Sequence, residues 1–217
     1  GELMSQVKGL CVMDVDGTLI LEEVIDLLGR EAGCEAEISE ITYQAMRGNL
    51  DFERSLRERV ALLKGLPVSV FDTVFKSIHL SKNAQEFISV LQKKGILVGL
   101  VSGGFAPIVE RLAESLGISY FSANQLEVKD GFLTGKSVGE IVTAQEKQAT
   151  LEKWRKKLEL PKERTIAIGD GANDLLMLKS AGHGIAFCAK EVVKAEIACH
   201  VDTRDFLEVL PLIDFLE

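Results

Sequence analysis

Several classes of protein are excluded by what this chain of 217 residues has little of. It contains only four prolines, and 47% of its residues are hydrophobic, so a disordered or fibrous protein is not expected. The longest uncharged stretch, Gly95–Val109, is interrupted by small and polar residues and by Pro107, which argues against a membrane-spanning helix. Basic residues (25) are outnumbered by acidic ones (33), and the net charge of −8 argues against a general affinity for nucleic acid or anionic membranes. A globular chain with room for one α/β domain and a small accessory unit remains.

Cysteine is scarce, and its spacing predicts neither a disulfide framework nor a metal site. The four cysteines form no C-x-x-C pair and lie mostly within apolar runs, as reduced core thiols do. Two of them lie near His183 and His200, but this spacing matches no zinc-binding module. Because no signal peptide is recognisable either, we expect a cytoplasmic protein. The cysteines are Cys11, Cys34, Cys188 and Cys199.

Short apolar runs that end near Gly, Ser or Asp predict the buried strands of a sheet. Helical periods lie between them, one after Asn83 and another that ends at Gly117. Alternating strands and helices predict an α/β fold with a doubly wound, Rossmann-like parallel sheet. The predicted strands are Leu10–Val15, Ile96–Val101, Thr165–Ile168 and Gly184–Phe187.

Two segments depart from this alternation and are predicted to be insertions. Residues 21–81 carry helical patterns without a strand signal, including a helix from Phe52 behind the capping candidate Asp51, and predict an inserted helical cap. The segment Gln125–Gly135 predicts a β-hairpin insertion, because its Asp130-Gly131 pair favours a tight turn. The predicted domains are therefore a core of residues 4–20 and 82–217 and a cap of residues 21–81.

The sequence Asp14-Val15-Asp16-Gly17-Thr18 stands where the first predicted strand ends. Because side chains alternate along a strand, Asp14 and Asp16 are expected on the same side of the backbone. Ligands of open α/β sheets bind at the carboxyl ends of the strands, so two carboxylates are expected to face one substrate. The alternative is a plain Asp-Gly turn after a buried strand.

A second acidic block, Gly169–Asp174, follows the strand Thr165–Ile168. It contains Asp170, Asn173 and Asp174, and oxygen ligands of this kind suit Mg²⁺. A helix-capping loop has a similar composition, which leaves a structural alternative open.

Two further features predict a phosphate site only weakly. Ser102-Gly103-Gly104 lies between a predicted strand and a helix, where a hydroxyl and backbone N–H groups can bind phosphate, although such turns are as common without a ligand. Lys147 lies at the start of the helical pattern Glu146–Leu158 and can supply a positive charge, but most lysines are exposed surface residues.

Taken in order, these blocks resemble the haloacid dehalogenase superfamily of phosphohydrolases over almost the whole chain. Within that superfamily the chain is similar to the phosphoserine phosphatase family. This second similarity rests on VSGGF at Val101–Phe105, VKDGFLTG at Val128–Gly135, IGDGANDLLM at Ile168–Met177 and IAFCAK at Ile185–Lys190.

The resemblance implies roles for the candidate residues named above and for four residues of the predicted cap. Asp14 is the nucleophile and forms an aspartyl-phosphate, and Asp16 is the general acid and then the general base. Lys147 and Asp174 complete the implied catalytic set. The implied ligands of Mg²⁺ are the Asp14 carboxylate, the Asp16 backbone carbonyl and Asp170. The implied substrate-binding residues are Glu23, Met46, Phe52, Arg59, Ser102, Gly103, Lys147 and Asn173.

The expected activity is therefore the Mg²⁺-dependent hydrolysis of O-phospho-L-serine to L-serine and phosphate, in serine biosynthesis. The expected partner is a small phosphomonoester, bound by a monomer or a homodimer. One alternative keeps the chemistry but takes another small phosphorylated metabolite or transfers the phosphoryl group to another alcohol. A catalytically silent metal- or phosphate-binding module is a third possibility, because a fold does not guarantee an activity.

Overall fold

Within residues 7–216, which the computed structural model describes, seven strands form one sheet. Their spatial order is β4-β3-β2-β1-β5-β6-β7, and every neighbouring pair is parallel except the antiparallel pair of β3 and β4. The predicted doubly wound α/β fold is thereby confirmed. Residues 4–6 and 217 of the predicted core lie outside the described residues. The strands are β1 Gly9–Asp14, β2 Ile96–Phe105, β3 Tyr120–Lys129, β4 Phe132–Val138, β5 Thr165–Gly169, β6 His183–Phe187 and β7 His200–Val201.

Nine α-helices accompany these strands within the same residues. Alternation along β1 sends Cys11 and Met13 to one face of the sheet and Leu10 and Val12 to the other, and each face packs into its own hydrophobic cluster. Helices on both faces are what a parallel sheet requires, because both of its surfaces are apolar. The helices are α1 Val24–Glu31, α2 Glu35–Met46, α3 Phe52–Ala61, α4 Val70–Phe75, α5 Ala84–Lys93, α6 Ala106–Ser115, α7 Ala144–Lys157, α8 Leu175–Ser180 and α9 Glu191–Lys194.

Helices α1–α4 follow one another between β1 and β2, with no named strand among them. The two chain segments that connect them to the core run side by side, since Leu21 N donates to His79 O over 3.0 Å and Ile20 bridges Leu80. Asp51 caps the N-terminus of α3 as predicted, because its carboxylate accepts a hydrogen bond from Arg54 N over 2.9 Å. We propose residues 21–81 as the cap, with its boundaries at these paired segments.

The predicted β-hairpin is formed by β3 and β4. Asp130 and Gly131 have φ angles of 52° and 84°, the left-handed conformation that a tight hairpin turn needs. The hairpin also pairs with the cap, because Gly65 N donates to Leu133 O and Val68 N donates to Gly131 O, each over 2.9 Å. It therefore connects the cap to the edge of the sheet.

The strand pattern was predicted incompletely on this side of the sheet. Strand β2 continues to Phe105, so Ser102-Gly103-Gly104 belongs to its end rather than to a separate turn. Its pairing with β3 shifts between Val101 and Phe105, which frees the backbone of this segment from a regular ladder.

Across residues 7–216, none of the helices combines the length and apolar character that crossing a bilayer requires.

Candidate active site

The register of the sheet brings the two acidic blocks together. Strands β1 and β5 are neighbours, and Met13 pairs with Ile168. The chain therefore leaves both strands at the same edge, where Asp14 ends β1 and Asp170 follows β5. This is the carboxyl edge at which open α/β sheets bind ligands.

Lys147 lies between two aspartates at this edge. Its Nζ atom is 2.7 Å from Asp14 Oδ1 and 2.8 Å from Asp174 Oδ1, and its side chain is fully buried. Helix α7 positions it, and that helix begins where Thr143 Oγ1 accepts from Glu146 N. Burial alone would lower the pKa of Lys147, but Asp14 and Asp174 raise it by a larger amount, so the amine is held charged. Lys147 is thus a buried site residue and not the exposed residue that most lysines are.

Asp174 holds the second acidic block in shape. Its Oδ2 atom accepts from Asp170 N over 3.0 Å and from Gly171 N over 3.1 Å. Both of its oxygens are therefore occupied, one by backbone amides and the other by Lys147.

Asp170 is held between a hydroxyl group and a second lysine. Thr18 Oγ1 donates to its Oδ1 atom over 3.1 Å, and Lys190 Nζ lies 2.9 Å from its Oδ2 atom. Lys190 was not among the predicted site residues. The available signal was its place three residues beyond β6, which ends at the same edge of the sheet as β1 and β5.

The buried aspartates fit a divalent cation. Asp14, Asp170 and Asp174 each present an oxygen within 4.8 Å of the others, the one such group of metal-ligating side chains found among residues 7–216. Burial and then the charge of Asp174 raise the pKa of Asp14 well above its ordinary value, and a bound cation would relieve that repulsion. Asp14 and Asp170 are held by side chains, which can move aside for an ion, whereas Asp174 is also held by two backbone amides. Asp14 and Asp170 are therefore the carboxylates best placed to coordinate it.

The Asp16 side chain is hydrogen-bonded to the first helix of the proposed cap. Its Oδ2 atom accepts from Val24 N, the first residue of α1, over 3.0 Å. Burial raises the pKa of Asp16 to about 7, against the opposing effect of the hydrogen bond from Val24. The carboxyl group is thus able to exist in both protonation states near neutral pH.

A narrow cavity lies between the core and the cap, above these carboxylates. Of the predicted substrate-binding residues, Ser102 and Lys147 lie outside its lining. Ser102 is buried beside the cavity, where its Oγ atom accepts from Gly104 N over 2.8 Å. The lining consists of Asp14, Asp16, Glu23, Ile25, Met46, Phe52, Leu56, Arg59, Gly103, Gly104 and Asn173.

Three of the lining residues present polar groups that are poorly satisfied. Arg59 is only 2% exposed, and among residues 7–216 no carboxylate forms an ion pair with it. Burial, followed by the charge of Asp16, raises the pKa of Glu23 well above its ordinary value. Asn173 Oδ1 is buried, and no group within the described residues donates to it. A ligand with positive and negative groups would satisfy them.

Comparison with known proteins agrees with this geometry. Residues 11–179 match the haloacid dehalogenase-like hydrolase family. The chain belongs to this family. It is 56% identical over 211 residues to a phosphoserine phosphatase of Streptococcus thermophilus. The match covers 97% of this chain and 98% of that relative.

Two solved structures of phosphoserine phosphatases have the same fold. One is a phospho-aspartyl intermediate analogue. Its TM-score is 0.92 and its sequence identity is 45%, and the match covers 95% of this chain and 99% of that chain. The other is a substrate-bound complex. Its TM-score is 0.92 and its sequence identity is 45%, and the match covers 95% of this chain and 98% of that chain. The expected similarity to phosphoserine phosphatases and the expected enzyme class, a hydrolase of phosphomonoesters, are confirmed. Phosphatases of this haloacid dehalogenase-like family use a metal ion, and the buried aspartates described above can hold one.

Proposed function

We propose that this hydrolase converts O-phospho-L-serine to L-serine and phosphate through a phosphoryl group carried by Asp14. The observation that carries the proposal is the placement of one basic and one acidic side chain across a cavity from two aspartates. Asp14 and Asp16 line its core side, and the buried Arg59 and the acidic Glu23 line its cap side. A substrate with a phosphate, a carboxylate and an ammonium group matches this arrangement. The relatives named above are phosphoserine phosphatases, one of them with substrate bound.

Asp14 is the proposed nucleophile. A carboxylate oxygen of Asp14 attacks phosphorus, and the bond between phosphorus and the serine oxygen breaks while Asp16 gives that oxygen a proton. Water then attacks phosphorus, Asp16 takes a proton from it, and phosphate leaves as the Asp14 carboxylate is restored. A solved relative with an analogue of the phospho-aspartyl intermediate supports this sequence of steps.

Lys147 and Asp174 support the nucleophile electrostatically. The Lys147 ammonium group contacts Asp14 Oδ1 at 2.7 Å, so it favours the carboxylate form of Asp14 and can offset the negative charge of the phosphoryl group that Asp14 attacks. Asp174 anchors Lys147 from its other side at 2.8 Å. The two residues therefore hold a charge in place before the substrate binds.

Three groups are proposed to bind the transferred phosphate. The Ser102 hydroxyl accepts from Gly104 N, which leaves its own proton free to donate to a phosphate oxygen. Gly103 brings its backbone close to the ligand, and Asn173 contributes its side-chain amide from the lining of the cavity. Met46 and Phe52 enclose the substrate from the cap and exclude water.

The proposed metal is Mg²⁺, held by the carboxylates of Asp14 and Asp170 and by the backbone carbonyl of Asp16. When bound it neutralises charge on the phosphoryl oxygens. Hard oxygen donors at the edge of the sheet support this choice over softer metals.

We also propose a cytoplasmic role in serine biosynthesis. The four cysteines all lie within the described residues as free thiols, which supports a reducing compartment. The expected monomer or homodimer stays a prediction.

The proposal is tested by measuring Mg²⁺-dependent phosphate release from O-phospho-L-serine, O-phospho-D-serine and O-phosphoethanolamine. Arg59→Ala should lower kcat/KM for O-phospho-L-serine by about 10²-fold, because a buried charge contact with the substrate carboxylate is lost. The same variant should hardly affect O-phosphoethanolamine, which has no carboxylate.

A matched control is available on the same helix. Arg57 is exposed and contacts Ser137 of the hairpin, so Arg57→Ala should leave the preference unchanged. Equal losses for both substrates in Arg59→Ala, or a wild-type preference for O-phosphoethanolamine, would contradict the proposed substrate.

A further inference from the structure

The guanidinium group of Arg59 is held by a relay of hydrogen bonds that crosses three cap helices. Arg59 lies on α3, and its Nη1 atom donates to Thr42 Oγ1 on α2 over 3.0 Å. Thr42 Oγ1 in turn lies 2.8 Å from Asp26 Oδ1 on α1. Thr42 is only 3% exposed, so this hydroxyl has little access to water.

The relay leaves part of the guanidinium group available. Arg59 Nε donates to Ser55 O over 3.1 Å, and Nη2 has only a long contact of 3.5 Å with Ser55 Oγ. A guanidinium group carries five N–H donors, so two remain after these contacts and the bond to Thr42. An arginine with two free donors can bind a carboxylate with two parallel hydrogen bonds.

Thr42 also separates two opposite charges. A direct ion pair between Asp26 and Arg59 would use the donors that a substrate carboxylate needs. With the hydroxyl between them, Asp26 contributes negative charge near Arg59 while the guanidinium group keeps its free donors. The arrangement lowers the free-energy cost of burying the guanidinium group and leaves its free N–H donors available to a ligand.

We propose that Thr42 is a positioning residue that sets the preference for substrates carrying a carboxylate, with Asp26 as its support. This inference rests on the proposed function, in which Arg59 binds the carboxylate of O-phospho-L-serine. Thr42 acts through Arg59 and does not touch the reacting atoms.

Thr42→Val removes the hydroxyl and keeps the shape of the side chain. Because a hydrogen bond to a charged group is lost, KM for O-phospho-L-serine should rise about 10-fold. The value of kcat should stay within about twofold, because the reacting groups are unchanged. O-phosphoethanolamine should be hydrolysed as by the wild type, and Thr42→Ser, which keeps the hydroxyl, should restore the original KM.

Thr165 offers a control for a purely structural hydroxyl. It is fully buried, donates to Lys162 O over 2.6 Å and accepts from Gly182 N over 3.0 Å, far along the strand from the catalytic edge. Thr165→Val should lower thermal stability without a change in KM. Should Thr42→Val fail to fold, Asp26→Ala should raise KM for O-phospho-L-serine in the same direction, since Thr42 then loses its support.

Two results would overturn the inference: an unchanged KM in Thr42→Val or Asp26→Ala, or equal losses for both substrates. Arg59→Ala separates this failure from failure of the proposed function. If Arg59→Ala removes the preference for O-phospho-L-serine while Thr42→Val retains it, only the role of Thr42 is wrong. If the wild type shows no such preference, the proposed substrate itself is wrong.

Discussion

The two sides of the cavity differ in how their charges are satisfied. On the core side Lys147 lies between Asp14 and Asp174, and Lys190 contacts Asp170, so each of these lysines has a carboxylate partner. On the cap side the buried Arg59 has hydrogen bonds to neutral groups only. The core side is thus organised for phosphoryl chemistry before any substrate arrives, whereas the cap side keeps its charge available for the rest of the substrate.

The largest effect should come from the core side. Asp14→Asn removes the nucleophilic oxygen and should lower kcat for O-phospho-L-serine by at least about 10⁴-fold, as loss of a nucleophile does in other enzymes. The measurement is single-turnover phosphate release with Mg²⁺ present, and circular dichroism checks that the variant is folded. Undiminished turnover would show that phosphoryl transfer does not pass through Asp14.

A contact between the two sides gives a smaller effect that joins them. Gly103 lies two residues before the end of β2 and lines the cavity, and a Cβ atom added there would lie 2.6 Å from Phe52 Cζ of the cap. Gly103→Ala should therefore displace the cap and raise KM about 10-fold, in keeping with the cost of overpacking. A second substitution, Phe52→Leu, should recover part of the loss, because it removes the ring that the new methyl group meets.

The neighbouring glycine is the matched control for this pair. A Cβ atom at Gly104 would lie 3.0 Å from Ser102 Oγ and 3.3 Å from Asp16 Oδ1, both on the core side. Gly104→Ala should lower activity in a way that Phe52→Leu does not relieve. Equal rescue of both alanine variants would mean that Phe52 acts by some route other than contact with Gly103.

The difference between the sides also explains what the sequence could predict. Asp14 and Asp170 follow apolar strands, so the alternation of side chains and the common carboxyl edge are enough to place them together. The burial of Lys147 depends on how α7 packs against the sheet, and no local pattern carries that information; only the resemblance indicated its role. Thr42 escaped prediction for the same reason, because its contact with Arg59 joins two different helices, whereas Lys190 could have been found from its place just beyond β6.

The smallest expected effect is a change in protons bound, and it tests Glu23 on the cap side. In the free enzyme, burial and the nearby Asp16 raise the pKa of Glu23, so this carboxyl group retains its proton at pH values where an ordinary glutamate is ionised. The ammonium group of O-phospho-L-serine favours the ionised form and lowers that pKa, so binding should release a proton at pH values above the ordinary pKa of a glutamate.

Titration calorimetry in two buffers of different ionisation enthalpy measures this release. The Asp14→Asn enzyme is suited to it, because the substrate is then not consumed. Other carboxyl groups also respond to the bound phosphate, so the informative quantity is the difference between Asp14→Asn and Asp14→Asn combined with Glu23→Gln. We expect the enzyme that keeps Glu23 to release more protons on binding, by at most one per site. Equal release in the two enzymes would mean that the ammonium group lies elsewhere, and the cap side would then select its substrate through Arg59 and the apolar lining alone.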